Sequence, residues 1–303
     1  MIRTPSSMTA WSERLRREGV TIGFVPTMGA LHDGHRSLIR AARLRCDALV
    51  VSIFVNPAQF SPSEDLTRYP RPIANDRALC REEGVDVCFE PTPGLIYPEG
   101  FQTIVTVPKI AHQWEGAARP HHFAGVATVV TKLFGIVRPH LALFGQKDYQ
   151  QAALVRQLVQ DLNLGVKIQI RPTVREQDGL AMSSRNVYLS ANERRIAPLL
   201  SQALQIGTRM IAGGIRDVAA IERAMRQALK REPTIHVEYL AICDPDSLES
   251  LPVVATHAVL LGAVRIGSIR LIDNLLVKIP GRKRRAMPAP AQPQSVRYAP
   301  ASR

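Results

Sequence analysis

Residues 21–35 read Thr-Ile-Gly-Phe-Val-Pro-Thr-Met-Gly-Ala-Leu-His-Asp-Gly-His, and their order predicts a strand, a tight turn and the start of a helix. The strand is expected over 21–25 and the helix over 36–45, where Leu38, Ile39 and Ala42 recur at helical spacing. Gly29 and Gly34 allow backbone N–H groups to approach an anion, and a helix N-terminus favours negative charge. The spacing from Gly29 to Gly34 mimics a Walker A loop, but His35-Arg36 stands where that loop needs Lys and Ser/Thr, so a P-loop is excluded. What remains is an H-x-G-H turn, His32 to His35, whose imidazoles can donate to phosphate oxygens as charge grows during displacement.

The alternation continues outward. Further strands are expected over 49–54, 85–89, 103–107, 140–144 and 166–170, with a helix over 151–162 carrying Leu154, Val155, Leu158, Val159 and Leu162. Alternating β and α implies an α/β fold, a Rossmann-like doubly wound sheet that is mostly parallel, with ligands gathered at the carboxyl ends of its strands. After Arg171-Pro172 the pattern changes. Asp178-Gly179 signals a turn, and Ser190-x-x-Glu193 is a capping box opening a helix to about residue 211 that Gly213-Gly214 stops. A helix over 217–230 and strands over 235–243, 258–264 and 268–277 complete a smaller α+β domain. The expected division is 1–173, 174–280 and a tail, 281–303.

The chain has 303 residues, 46% of them hydrophobic, enough for a substantial core. No apolar run approaches the roughly 20 residues of a membrane helix, and no secretory signal is evident, so a cytoplasmic protein without a membrane partner is expected. Cys46, Cys80, Cys88 and Cys243 lie far apart with no zinc-ligand spacing, and read as reduced thiols. Of the net charge of +13, six cations fall in the Pro/Ala-rich tail, leaving +7 for the body. That tail is expected to be disordered, and no specific nucleic-acid partner is expected.

Three more clusters carry chemistry. Asn56 and Gln59 follow a strand end within Val55-Asn56-Pro57-Ala58-Gln59-Phe60, as an Asn-Pro turn or as ligand-facing amides. In Gly145-Gln146-Lys147-Asp148-Tyr149-Gln150-Gln151, Lys147 is placed to meet phosphates, while Gln151 either meets a ligand or completes a capping box with Asp148. Met182-Ser183-Ser184-Arg185-Asn186 is either a polar loop or a site for departing pyrophosphate.

Taken together and in this order, PTMGALHDGH, VSIFVNPAQF, YPR at Tyr69–Arg71, RPHHFAGVATVV, GQKDYQQ and DGLAMSSRN resemble the blocks of the pantothenate synthetase family, within the HIGH-type nucleotidyltransferases. The resemblance runs from about residue 21 to 279. It implies an AMP-forming ligase that activates pantoate with ATP and transfers the pantoyl group to β-alanine, with Mg²⁺ accompanying ATP and a homodimer as the usual assembly. It assigns ATP to Met28, Gly29, Ala30, Leu31, His32, Asp33, Gly34 and His35, to Gly145, Gln146, Lys147 and Asp148, and to Val174, Met182, Ser183, Ser184 and Arg185. His32, His35, Lys147 and Arg185 become the catalytic group, with His35 as proton donor. Pantoate falls to Gln59 and Gln151 with Asn56, Arg119 and His122; β-alanine lies near Gln59, and Asp76 beside magnesium. Gln146 departs from the Glu of many relatives, and Ala74-Asn75 before Asp76 are less acidic than in some. Two other readings stand beside this one: an H-x-G-H enzyme that stops at nucleotide transfer, and a nucleic-acid binder driven by charge.

Overall fold

The computed structural model describes residues 1–62 and 64–279; the 281–303 tail lies outside the described residues. Five strands, β1 (Ile22–Thr27), β2 (Ala48–Ile53), β3 (Val87–Phe89), β4 (Leu141–Gly145) and β5 (Lys167–Arg171), form one sheet in the order β3-β2-β1-β4-β5. Every pairing in it is parallel. Strand order reverses between β1 and β4, which makes the crevice beyond their carboxyl ends the place where such sheets bind ligands.

Alternate residues of each strand feed opposite layers. Phe24, Val50, Ala142 and Phe144 pack toward α1 (Pro5–Arg17), α7 (His122–Val137) and α8 (Tyr149–Asp161). Val25, Leu49, Val51 and Leu143 pack on the other face with α2 (Asp33–Arg43) and α3 (Ile73–Glu82). Burying each Val, Leu or Phe side chain among these stabilises the fold by about 1.5–3 kcal/mol. Three one-turn helices, α4 (Pro93–Ile96), α5 (Pro108–Ala111) and α6 (Glu115–Ala118), join β3 to α7.

The second part holds α9 (Ala191–Ile196), α10 (Leu199–Ala212) and α11 (Val218–Leu229) with the antiparallel sheet β6 (Ile235–Cys243), β7 (His257–Ile266) and β8 (Ile269–Lys278), ordered β6-β7-β8. Leu240, Ile242 and Leu260 pack with α10 and α11, whereas Ala241, Cys243, Val259 and Leu261 join the core of the first sheet. The two sheets therefore share one apolar interface.

Two expected elements differ. Residues 103–107 form no strand: the Val105 N–H donates to Thr128 Oγ1 of α7 at 3.0 Å, which removes a ladder donor. The helix expected from Ser190 to about 211 is two helices. Its capping box forms, but Pro198 cannot continue α9 and instead precedes α10. Helices α1, α3 and α7 have no counterpart in the sequence reading.

Candidate active site

The carboxyl ends of β1 and β4 open into a cavity of about 570 Å³ whose walls draw on both sheets. Met28, His32, Gly34 and His35 line it from the first cluster, and Gly145, Lys147, Asp148 and Gln151 from the third. Asn56, Gln59, Arg119 and His122 form another wall, and Val174 with Met182, Ser183, Ser184 and Arg185 the side nearest the second sheet. Gly29, Ala30, Leu31, Asp33, Gln146 and Asp76 are outside this lining.

The turn after β1 is held from within. Gly29, at φ +81°, donates its N–H to Thr27 Oγ1 at 3.1 Å. Asp76, on α3, accepts from Ala30 N at 2.9 Å and Leu31 N at 2.8 Å, one bond to each oxygen. A Cβ at position 29 would lie 2.9 Å from the same carboxylate, so glycine is required. Of the turn's N–H groups expected to approach an anion, those of Gly29, Ala30 and Leu31 go instead to Thr27 and Asp76, and that of Gly34 goes to His32 Nδ1. Asp76 is buried, and burial holds its pKa above the usual carboxylate value despite its two N–H donors. It shapes the turn and does not fit a magnesium ligand. Among the described residues no cluster of three His, Cys, Asp or Glu side chains can hold a metal.

His32 caps α2. Its Nδ1 accepts from Gly34 N at 3.1 Å, and His35 Nδ1 accepts from His32 N at 3.3 Å. A lone pair at each Nδ1 leaves the proton on Nε2, so the turn supplies two imidazole N–H donors. The rings lie 4.2 Å apart between centroids. Burial first, then Lys147, lowers the His32 pKa to about 4; burial first, then His32, lowers that of His35 to about 3. At neutral pH both are neutral hydrogen-bond donors.

Gln59 ends the one-turn 3-10 helix Pro57–Gln59 beyond β2, and its neighbours fix it there. Asn56 Nδ2 donates to Gln59 Oε1 at 3.0 Å and to Gly125 O at 3.1 Å, while Asn56 Oδ1 accepts from Tyr97 Oη at 2.7 Å and Ala58 N at 3.3 Å. Arg119 Nη2 donates to the Gln59 carbonyl at 3.2 Å, and His122 Nδ1 lies 3.0 Å from the same oxygen. Asn56 therefore has no polar capacity left for a ligand; it positions Gln59. The Gln59 amide points back across the cavity, its Nε2 3.2 Å from Met28 Sδ. Gln151 lines the cavity too, and α8 has no side-chain cap bond, so the Asp148–Gln151 capping box does not form.

Lys147 and Arg185 are among the cations on the lining. Lys147 Nζ is 3.6 Å from Asp148; against the upward push of burial, Lys147 and Arg185 keep that carboxyl below its usual range. Arg185 makes a two-point pair with Asp65, Nε to Oδ2 at 2.8 Å and Nη2 to Oδ1 at 2.9 Å, and lies over the rings of Phe60 and Tyr69. Ser184 Oγ donates to Ala30 O at 3.0 Å, so the Ser183–Arg185 stretch already touches the H-x-G-H turn. Sequence reasoning misses Asp65, Glu64 (paired with Arg119) and Asn274; Asp65 and Arg185 are 120 positions apart, and no local pattern signals such a pair.

Fold and site together define a class: α/β proteins that carry an H-x-G-H turn at the switch point of a parallel sheet and converge cations on it from distant segments. The pantoate-beta-alanine ligase family matches residues 1–276. A pantothenate synthetase from Heliobacterium modesticaldum is 50% identical over 279 residues, covering 92% of this chain and 99% of the relative. One from Agrobacterium fabrum is 48% identical over 293 residues, with 96% and 99% covered. Among solved structures, a pantothenate synthetase from Thermus thermophilus matches with a TM-score of 0.86 at 47% identity, covering 90% of this chain and 98% of that one. The Francisella tularensis pantoate-beta-alanine ligase, complexed with beta-gamma ATP and beta-alanine, matches with a TM-score of 0.75 at 35% identity, covering 91% and 97%. The chain belongs to the pantoate–β-alanine ligase family.

Proposed function

We propose that this protein condenses pantoate with β-alanine at the expense of ATP, through a pantoyl adenylate, releasing AMP and diphosphate. One observation carries the reading: the imidazoles of His32 and His35, Lys147 and Arg185 line the same cavity as Gln59 and Gln151. The cations and imidazoles suit a triphosphate. The neutral amides of Gln59 and Gln151 suit a hydroxy acid whose carboxylate must stay nucleophilic, because an arginine clamp there would draw electron density from the attacking oxygen.

In the first step a pantoate carboxylate oxygen bonds to the α-phosphorus, and the bond from that phosphorus to the bridging oxygen breaks. Diphosphate leaves with the electron pair. His32 and His35 offer Nε2–H groups, Lys147 its ammonium and Arg185 its guanidinium to the oxygens that gain charge; one such donor contributes about 3 kcal/mol. Magnesium would come in as part of the substrate, with ATP, and would help neutralise the phosphate charge. In the second step the neutral β-alanine amine attacks the acyl carbon near Gln59, the acyl–oxygen bond breaks, AMP leaves, and the amine proton passes to solvent. The 174–279 part, with Ser184 resting on the Ala30 carbonyl, shields the adenylate from water.

The assembly we propose is a cytoplasmic homodimer. Four free thiols support a reducing compartment, and no described helix is long and apolar enough to cross a membrane. Residues 101–107, outside any helix or strand and with Ile104 71% exposed, supply a surface that a second copy can cover. The test of the reaction is isotope transfer: pantoate labelled with ¹⁸O in its carboxylate should deliver one label to AMP. Label appearing in inorganic phosphate or diphosphate instead would refute attack at the α-phosphorus.

A further inference from the structure

Two adjacent residues of β8, Asp273 and Asn274, reach different parts of the site. Asn274 is 1% exposed. Its Nδ2 donates to the backbone carbonyls of Gln146 at 2.8 Å and Lys147 at 2.9 Å, and its Oδ1 accepts from Gln146 Nε2 at 3.1 Å. All of its amide is committed to the turn that presents Lys147. Asp273 grips Arg175 at two points, 2.6 and 2.9 Å, and also accepts the Asn274 N–H at 2.7 Å. Arg175 in turn donates to Gly179 O at 3.0 Å and Asn274 O at 3.3 Å. It thereby ties down the hairpin that bridges Arg175 to Ala181 and delivers Met182 to Arg185.

We infer that Asp273 and Asn274 are positioning residues that hold the Lys147 turn and the Arg185 segment in one fixed relation, so that ammonium and guanidinium converge on a single polyphosphate. The inference rests on the adenylation reading above. Among the described residues the nearest backbone pairing between the two segments is that of Gly145 with Arg171 at the ends of β4 and β5, so beyond it the spacing between the two cations depends on what else bridges them. Strand β8 is such a bridge, and the bridging atoms are buried polar groups, costly to leave unpaired. Gln146 belongs to the same arrangement. Its amide donates to Asn274 Oδ1, leaving both Nδ2 hydrogens for the carbonyls. A glutamate at that position would set two acceptors against each other or turn the Asn274 amide away from Lys147.

The test uses the full-length chain with Asn274→Asp, which keeps volume and the acceptor for Gln146 but cannot donate to the carbonyls. Asp273→Asn is the second variant, keeping shape and losing the ion pair to Arg175. Pantoate-dependent ATP–diphosphate exchange is followed beside the melting temperature and the reaction of β-alanine with pre-formed pantoyl adenylate. Misplacing a cation by about 1 Å costs roughly 100-fold. The expected result is exchange turnover reduced by that order in both variants, with the KM for pantoate and the β-alanine half-reaction near wild type. Folded Asn274→Asp or Asp273→Asn protein with wild-type exchange would overturn the inference, as would equal loss in both half-reactions. A wild-type protein that shows no exchange would overturn the adenylation reading itself, and the inference with it.

Discussion

Gly125→Ala places a methyl group between α7 and the turn that carries Gln59. An added Cβ would stand 2.5 Å from the Ala58 carbonyl carbon and 2.6 Å from Gln59 N, with the Ala58 oxygen closer still. All three are backbone atoms, so no rotamer change relieves the clash. Restoring ordinary contact requires the Pro57–Gln59 turn to move away from α7 by on the order of 1 Å. That shift also stretches the Asn56 Nδ2 bond to Gly125 O, 3.1 Å in the native arrangement. Alanine gains about 1 kcal/mol of helix propensity over glycine, whereas overpacking costs about 1–3 kcal/mol, so the net stability loss is at most about 2 kcal/mol. The functional loss is larger, because the turn that moves carries the Gln59 amide: pantoate adenylation should fall roughly 100-fold. The assay is ATP–diphosphate exchange with pantoate and ATP varied separately, beside a denaturation curve. A KM for pantoate raised at least about tenfold, with the KM for ATP within about twofold of wild type, is the expected split. A folded variant with unchanged pantoate dependence would refute the claim that this turn positions the acid.

Other perturbations give independent checks. Gln151→Ala should weaken pantoate binding about 10- to 100-fold by removing one hydrogen-bond partner, with an unchanged melting temperature, because α8 has no side-chain cap bond to lose. A lower melting temperature with normal pantoate affinity would return Gln151 to a structural role. For pH, burial first and then Arg119 lower the His122 pKa from the usual 6.5 to about 4. The unfolded chain therefore binds the proton first between those values, so the stability from a neutral buried ring is full above pH 6.5 and is lost as pH falls toward 4. His32 shifts in the same direction and over a similar range. Denaturation midpoints at about pH 5 and 7.5 should differ by about 1–2 kcal/mol more in wild type than in His122→Asn; equal differences would contradict this linkage. Lys147→Ala should lower exchange by about 100- to 1000-fold with the fold intact, and near-normal exchange would remove Lys147 from the phosphates.

Local patterns carry most of the fold. The apolar runs of β1, β2 and β4 and the glycine turn before α2 are legible because each is set by neighbours in sequence. The break at Pro198 is equally local, yet apolar spacing on both sides masks it. Helix α7 is nearly apolar all round, so it shows no contrast between faces for a periodicity argument to use. The strand expected over 103–107 fails because its Val105 N–H is claimed by Thr128, a partner that no local pattern reveals.

The site is legible as a set of clusters but not as a set of bonds. His32, Gln59, Lys147 and Arg185 line one cavity, as their clusters imply. What each atom does is not legible. Backbone N–H groups expected on phosphate go to Thr27 and Asp76, and Asn56 serves Gln59 rather than a ligand. The Asp65–Arg185 and Asn274–Lys147 links span 120 and 127 positions, and long-range polar pairs of that kind leave no trace in spacing.

The most direct test withholds β-alanine. With pantoate and MgATP alone, the protein should catalyse exchange of labelled diphosphate into ATP, and adding β-alanine should convert that exchange into net AMP and pantothenate in equal amounts. Formation of ADP and phosphate, or exchange independent of pantoate, would contradict adenylation of the acid within this cavity.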